Sequence, residues 1–275
     1  MFEAASPSDT SLMQDPAFAV ALQSVGQCPI QLPCGLTVFY RRVLGLPLAM
    51  LPRAAPPSDL CEQLRSQGLQ NVPLILSPEA PCQLPRALRL RGPATVLSID
   101  LTVAEQSRRA ALHGKWRNQL AKAEVSSLRV KHAQMRPDHP LLTLEAQQAR
   151  ARRYAGWPPA LTAAFAAWAP DQTRIFTALN RGHPVAHMLF LRHGLRATYH
   201  IGHISERGKF LSAHNLLLWQ ASCWLAQQGH TGLDLSLEDP ATPGLTRFKR
   251  RAGGQPEPTG GTWLRWRPLA RGRAA

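Results

Sequence analysis

A chain of 275 residues with 44% hydrophobic content can bury a sizeable core in one large domain or two smaller ones. Thirty-two Lys and Arg against 17 Asp and Glu give a formal charge of +15. Such a charge attracts phosphorylated ligands, tRNA, other nucleic acid or an anionic membrane surface, although a GC-rich genome also yields Arg-rich proteins. No apolar run approaches the roughly 20 residues of a membrane helix. The N-terminus lacks the basic-then-apolar order of a signal peptide, so a cytoplasmic location is expected.

The first hundred residues are weakly patterned. Residues 13–27 have room for one helix. Residues 36–40 and 47–51 read as two strands around Gly45, and 52–57 as a turn-rich connection. Residues 58–68 read as a short helix capped by Ser58 and stopped by Gly68. Strand candidates follow at 72–76 and 95–101. None of this half forms a compact catalytic constellation. The five cysteines show neither CxxC nor zinc-finger spacing, which indicates reduced thiols. Cys223 lies in an apolar helix and reads as core.

From residue 102 the pattern becomes helical. Thr102 and Glu105 fit a capping box, in which hydroxyl and carboxylate each satisfy a first-turn amide. Leu112, Trp116 and Leu120 form a buried stripe. Arg108, Lys115 and Lys122 recur every seven residues on another stripe, and Arg117 points elsewhere. A solvated basic face accounts for these cations as well as ligand binding does. Two further helices are expected near 140–154 and 159–169. Arg150, Arg152 and Arg153 crowd the last turn of the first, where cations complement the helix dipole.

Three alternating segments come next, at 174–180, 184–191 and 196–203. Arg181-Gly182 and His193-Gly194 separate them as hairpin-turn pairs. Two-residue loops would pair Asn180 with His183 and Arg192 with Leu195. Phe176 then faces His187, and His187 faces His200, with Tyr199 and His203 on the opposite face. The histidine pair is open to three readings. It is a satisfied, partly buried pair, a metal site that no nearby Cys or carboxylate completes, or the location of a general base, His200 or His203, acting on an amine.

The helix beginning near Ser212 has Ala213, His214 and Asn215 in its first turn. It is apolar around most of its circumference, Trp219 and Trp224 included, so it is expected to be buried, and Gly229 stops it. Its free first-turn amides, preceded by a basic loop Arg207-Gly208-Lys209, suit a phosphate group. In the following strand, 232–237, Asp234 stands among leucines and is either paired or functional. Alternation puts Asp234, Ser236 and Glu238 on one face. Glu238 can orient an amine or simply mark the strand's end. Residues 242–253 read as cap, N1 proline, short helix and glycine stop, with Phe248 inward and Arg247, Lys249, Arg250 and Arg251 supplying charge. A last strand is expected at 261–267 and a disordered tail around 271–273.

Meander, basic loop, apolar helix, strand and second basic helix, in that order, resemble the acyltransferase half of the GNAT superfamily. Phe248-Lys249 after the penultimate strand is similar to its FemAB-like branch, which includes BioF2-like acetyltransferase domains. Lys115, Arg117, Leu120, Lys122 and Ala123 match that branch's K-x-R-x-x-I/L-x-K-A pattern. Asp234 and Ser236 occupy the positions of its D-x-G. The resemblance implies an α+β fold with a mixed, mainly antiparallel sheet flanked by helices over 102–275. Residues 1–101 would be a degenerate half, shortened from the same fold.

The activity implied is direct N-acyl transfer from acyl-CoA to a small-molecule or peptide amine, without metal. Arg207, Gly208, Lys209, Ser212, Ala213, His214 and Asn215 would hold the donor's pyrophosphate. His200, His203, Asp234 and Lys249 would be catalytic, and Lys115, Arg117, Tyr199 and Glu238 would bind substrate. In this branch the lysine of the Phe-Lys pair faces the donor or tRNA end. The usual donor motif, Q/R-x-x-G-x-G/A, is only half kept by residues 207–213. Longer acyl-CoA, an acyl carrier protein or aminoacyl-tRNA therefore stay open as donors. A tRNA-binding protein without catalysis and a peripheral membrane acyltransferase are the rival readings.

Overall fold

In this computed structural model, which describes residues 10–154 and 156–266, the tail at 271–273 and residue 267 of the last expected strand lie outside the described residues. The chain begins with α1 (Pro16–Ser24), where the Asp15 carboxylate accepts the Ala17 amide at 2.9 Å. Strands β1 (Cys28–Gln31), β2 (Thr37–Val43) and β3 (Leu46–Pro52) form an antiparallel meander, and α2 (Leu60–Ser66) leads to β4 (Leu74–Ser77) and β5 (Leu88–Arg91). The α2 cap is Asp59, not Ser58. Its carboxylate takes the Gln63 side-chain amide at 2.9 Å and leaves the backbone uncapped.

Next come β6 (Thr95–Asp100), α3 (Glu105–Ala111), α4 (Gly114–Glu124), β7 (Leu128–Ala133), α5 (Leu141–Arg152) and α6 (Pro159–Trp168). The expected capping box does not form. The Thr102 hydroxyl donates instead to Asp100 at 2.6 Å, and Ala104 occupies the cap position. The helix expected to run onward from 102 is broken at Leu112-His113, where the His113 ring accepts the Lys115 amide at 3.2 Å and starts α4. The predicted stripe survives the break: Leu112, Trp116 and Leu120 are all buried.

The meander is β8 (Thr173–Asn180), β9 (His183–His193) and β10 (Arg196–Ile204). It is followed by α7 (Glu206–Phe210), α8 (Ala213–Gln227), β11 (Gly232–Leu237), α9 (Pro243–Arg251), β12 (Gln255–Pro258) and β13 (Thr262–Arg265). The described residues divide into two compact units. One comprises Val96–Pro256 with the segment up to Leu12, and the other Met13–Thr95 with the segment from Glu257.

The larger unit's sheet has the order β12-β6-β11-β10-β9-β8-β7, and the smaller one's β1-β2-β3-β4-β13-β5. Both are antiparallel in the registered pairs except at one place each, β10–β11 and β3–β4. In both, an antiparallel meander passes through helix to a parallel strand. The smaller sheet thus repeats the larger in reduced form. Its core is Leu51, Leu60, Leu64, Leu74 and their neighbours. The larger core packs Trp116 and Leu120 of α4 and Leu216 to Leu225 of α8 against Phe176, Met188, Phe190 and Leu235. A helix that is apolar on nearly all sides is stable only in such surroundings.

Hairpin β8–β9 pairs Asn180 with His183 as expected. Hairpin β9–β10 turns one residue later than expected and pairs His193 with Arg196. A bulge in each hairpin shifts the register further, so Thr177 faces His187, Phe176 faces Met188, and His187 faces His203. One extra residue in a strand is enough to change which side chains share a face.

Residues 207–209, expected as a loop, form α7, whose seating on β9 and β10 requires glycine. A Cβ on Gly208 would stand 2.4 Å from the Val185 carbonyl oxygen and 2.8 Å from Ile204 Cγ1. Gly208→Ala is therefore expected to cost about 1–3 kcal/mol of stability through overpacking. Urea unfolding checks this as a lowered midpoint at unchanged slope.

Candidate active site

Strands β10 and β11 pair in parallel over three residues, Arg196–Thr198 with Gly232–Asp234. Beyond that point both are irregular. The β9–β10 register slips at His200, and β11 shifts against β6 between Asp234 and Leu237. Ser236 sits at φ 69°, in the left-handed region that non-glycine residues rarely occupy. The Asp234 carboxylate accepts the Ser236 amide at 2.5 Å and holds that turn, while the Ser236 hydroxyl donates to the Tyr199 carbonyl at 3.2 Å. The strands part here. Side chains thus replace the ladder partners of these backbone groups.

The N-terminus of α8 lies beside this opening. Ser212 occupies the N-cap position in the left-handed conformation, and its side chain makes no cap. The amides of Ala213 and His214, in the first turn, have no acceptor within the helix. The His214 ring is half-buried, with Nε2 donating to the His203 carbonyl at 3.1 Å. Asn215 bonds Gln119 on α4 at 3.4 Å.

The basic segment is committed elsewhere. Ser205 caps α7 through the Gly208 amide, Lys209 pairs with Glu206, and Arg207 donates to the Asn180 side chain at 3.3 Å. Lys115 and Arg117 are exposed on α4, and Arg117 donates to the Ala110 carbonyl at 3.1 Å.

On the other flank α9 turns Lys249 inward. It is 5% exposed, and its ammonium donates to the Leu237 carbonyl, at the end of β11, at 3.5 Å. Burial pulls its pKa below the ordinary lysine value, opposed by the charges of Asp234, Asp239 and Glu238. Phe248 packs on Trp116 and His214, with ring centroids 6.0 and 6.4 Å apart. Glu238 is gripped by the Arg250 guanidinium through two hydrogen bonds, which hold its pKa below the usual carboxylate range.

The histidines divide into two groups. At the bulge, His200 turns to α6, where Nε2 meets the Thr162 hydroxyl at 2.9 Å and the ring lies 4.4 Å from that of Trp157. Burial pushes its pKa down to about 3. His187 and His203 face one another across the ladder, so the expected pairing of His187 with His200 is replaced. His187 bonds Thr177 at 3.0 Å and meets His139 edge-on. Burial, then the neighbouring imidazoles, push it down to about 4. His203 is half-buried. Its pKa is lowered by burial, raised by Glu145 and lowered again by Arg152.

Tyr199, expected beside His203, packs on Phe190 in the core, and burial raises its phenol pKa. Its hydroxyl overlies Gly202, where a Cβ would stand 2.0 Å from it.

Sequence reasoning passed over a polar group from α5. Glu145 accepts from the Tyr154 hydroxyl at 2.7 Å, and the Gln148 amide reaches Glu145, Tyr154 and the Gly202 carbonyl at 3.3, 3.0 and 3.3 Å. Burial pushes Tyr154 up to about 12. Glu145 and Gln148 share a helix face, the one signal available beforehand. Among the described residues no group of three or more His, Cys, Asp or Glu side chains is arranged to hold a metal ion. Among them, too, no helix is long and apolar enough to cross a membrane.

A parallel pair that parts beside the N-terminus of a buried helix, in a mainly antiparallel sheet, defines an acyltransferase of GNAT type. The acetyltransferase (GNAT) domain family matches residues 104–250, more than half the chain, and the chain belongs to that family. Its fold is shared with FemX, at a TM-score of 0.73 and 9% identity over 94% of this chain and 93% of that one. It is also shared with L-PGS from Bacillus licheniformis (TM-score 0.57, 11% identity, 94% and 93% covered). A third relative is the C-terminal domain of a protein described as a lysylphosphatidylglycerol synthetase from Agrobacterium fabrum (TM-score 0.57, 14% identity, 94% and 90% covered). These likenesses agree with the FemAB-like branch indicated by Phe248-Lys249. Comparison of the sequence with curated proteins returns no match.

The buried imidazoles make stability depend on pH. His187 and His214 have folded pKa values of about 4 against the ordinary 6.5. Between those values the unfolded chain binds protons that the folded chain does not, so stability falls as pH drops through that window. The urea midpoint is expected to be lower at pH 5 than at pH 7, and His187→Gln is expected to flatten that dependence.

Proposed function

We propose that this protein transfers an acyl group from a phosphate-bearing thioester, acyl-CoA, to an amine, with the donor carbonyl lodged where β10 and β11 part. The observation that carries the reading is that parting, flanked by the first-turn amides of α8 and by the inward ammonium of Lys249. The amine nitrogen attacks the carbonyl carbon, the C–N bond forms and the C–S bond breaks. The proton from nitrogen passes to the base or its water, and the leaving thiolate is reprotonated. Backbone amides beside the parting polarise the carbonyl, and proximity supplies much of the remaining rate.

Of the two candidate bases, His203 suits the role better. His200 is held by Thr162, and an imidazole that titrates near 3 accepts a proton poorly at neutral pH. Lys249 would face the donor's acyl end, Asp234 would hold the β11 turn, and the amides of Ala213 and His214 would take phosphate. Glu145 and Tyr154, beside His203, suit the ammonium form of the incoming amine.

A second donor, aminoacyl-tRNA, is favoured by two observations: residues 207–209 are coiled into α7 rather than open around a pyrophosphate, and the chain carries a charge of +15. A thermal-shift panel at fixed salt with coenzyme A, acetyl-CoA, a long-chain acyl-CoA and total tRNA separates the two. Stabilisation by acyl-CoA supports the first reading. A salt-sensitive shift with tRNA alone would sink it in favour of the second.

Two variants test the residues. Lys249→Met keeps the side chain's apolar stem and is expected to lower turnover by about 100-fold or more, as loss of an electrostatic stabiliser does. Wild-type turnover in that variant would remove Lys249 from the mechanism. His203→Ala is expected to lose about 100-fold in turnover, with His200→Asn changing stability more than rate.

A further inference from the structure

The β2–β3 hairpin of the smaller unit ends in an apolar tip. Its two-residue turn is Leu44-Gly45, closed by the pair Val43–Leu46, and both turn residues have positive φ, 51° and 80°. A turn of this kind favours Asn-Gly, because asparagine tolerates the left-handed region far better than a bulky apolar residue does. The β8–β9 turn has the same pattern of φ with a polar residue in first place, Arg181-Gly182 at 52° and 84°. Leucine is therefore not required by the turn. Nor is it required by the core, since Leu44 is 98% exposed, Leu46 71% and Val43 40%.

The charge around the tip is one-sided. Arg41 and Arg42 precede it and are exposed, and the Arg42 guanidinium donates to the Gly45 carbonyl at 3.4 Å, which lays its charge over the turn. From residue 16 to residue 58 the sequence contains no Asp or Glu. A single exposed apolar side chain is ordinary, whereas three together beside cations mark a contact surface. Residues 41–46 are all exposed, so the feature is a projecting ribbon end rather than a groove. Arg41 stands two residues behind Val43, about 7 Å at the rise of a strand. That spacing puts the arginines at headgroup level when the leucines reach the acyl boundary, about 5–10 Å deep. We infer that this tip is a membrane anchor: Val43, Leu44 and Leu46 enter the interface of an anionic bilayer while Arg41 and Arg42 meet its headgroups. Docking of this kind is independent of the acyl-transfer reading and is measured without substrate.

The test is co-sedimentation of the full chain with vesicles of phosphatidylcholine alone and of phosphatidylcholine with phosphatidylglycerol in equal parts. Binding to the anionic vesicles is expected to be about tenfold or more tighter. Arg41→Gln with Arg42→Gln is expected to remove most of that difference, and Leu44→Asn to weaken binding by about tenfold. Because asparagine suits the turn, Leu44→Asn is expected to keep or raise the melting temperature, so its lost binding is not lost folding. Unchanged binding in Leu44→Asn would overturn the inference, leaving adsorption through the basic surface of a protein of charge +15. Equal binding to the two kinds of vesicle would overturn it as well. So would a wild-type dimer that Leu44→Asn dissociates in sedimentation velocity, with no vesicle binding, which would assign the tip to a second copy of the chain.

Discussion

The structure of the larger unit depends on the way β10 and β11 stop pairing. Parallel neighbours in a buried sheet ordinarily continue their ladder to the end of the shorter strand, because each unmade backbone hydrogen bond is costly away from water. Here the register slips at His200 on one strand and between Asp234 and Leu237 on the other, and the two strands diverge. The divergence is held rather than loose. The Asp234 carboxylate fixes a left-handed Ser236, and the Ser236 hydroxyl bonds back to Tyr199. Backbone strain of this kind survives only where the surroundings over-determine it, which is why it concentrates at functional sites.

Desolvation sets the electrostatics around the opening. His187, His200 and His214 are all pushed toward the neutral form by burial, and Lys249 is shifted in the same sense. Neutral imidazoles hydrogen-bond through one nitrogen as donor and the other as acceptor, so each can hold backbone or hydroxyl partners without burying charge. The formal charge of +15 resides mainly on exposed arginines and lysines. The interior of the site is therefore far less charged than the composition suggests. Lys249 is the exception, a cation kept beside a carbonyl oxygen and near three carboxylates.

The two sheets illustrate how one topological unit is reused at different sizes. Meander, helix and parallel strand recur as β1–β2–β3–α2–β4 and as β8–β9–β10–α8–β11. In each sheet the strand beyond the parallel pair is contributed from a distant part of the chain, β13 beside β4 and β6 beside β11. Among the described residues, the smaller version, with its seven-residue helix, has no buried apolar helix comparable to α8 and no basic helix after its parallel strand. Among the described residues, the features that make a candidate site lie in the larger unit.

Much of this was legible in the residues themselves. Alternation over 174–203 specified three strands, apolar residues on every side of 213–227 specified a buried helix, and Phe248-Lys249 after a leucine-rich strand pointed to the acyltransferase family. Those signals are local, since hydrophobic periodicity and turn residues act within a few positions of one another. The edge strand β7 escaped because Val130 stands between Arg129 and Lys131, an alternation too short and polar to separate from a loop. What only the tertiary structure decided was register and proximity. A later turn and a bulge together replaced His200 with His203 as the partner of His187, α7 coiled residues expected to form an open loop, and α5 brought Glu145 and Gln148 to β10. A one-residue slip reverses every face in a strand, and contacts between elements far apart in sequence leave no periodic trace, so neither could be read before the chain was folded.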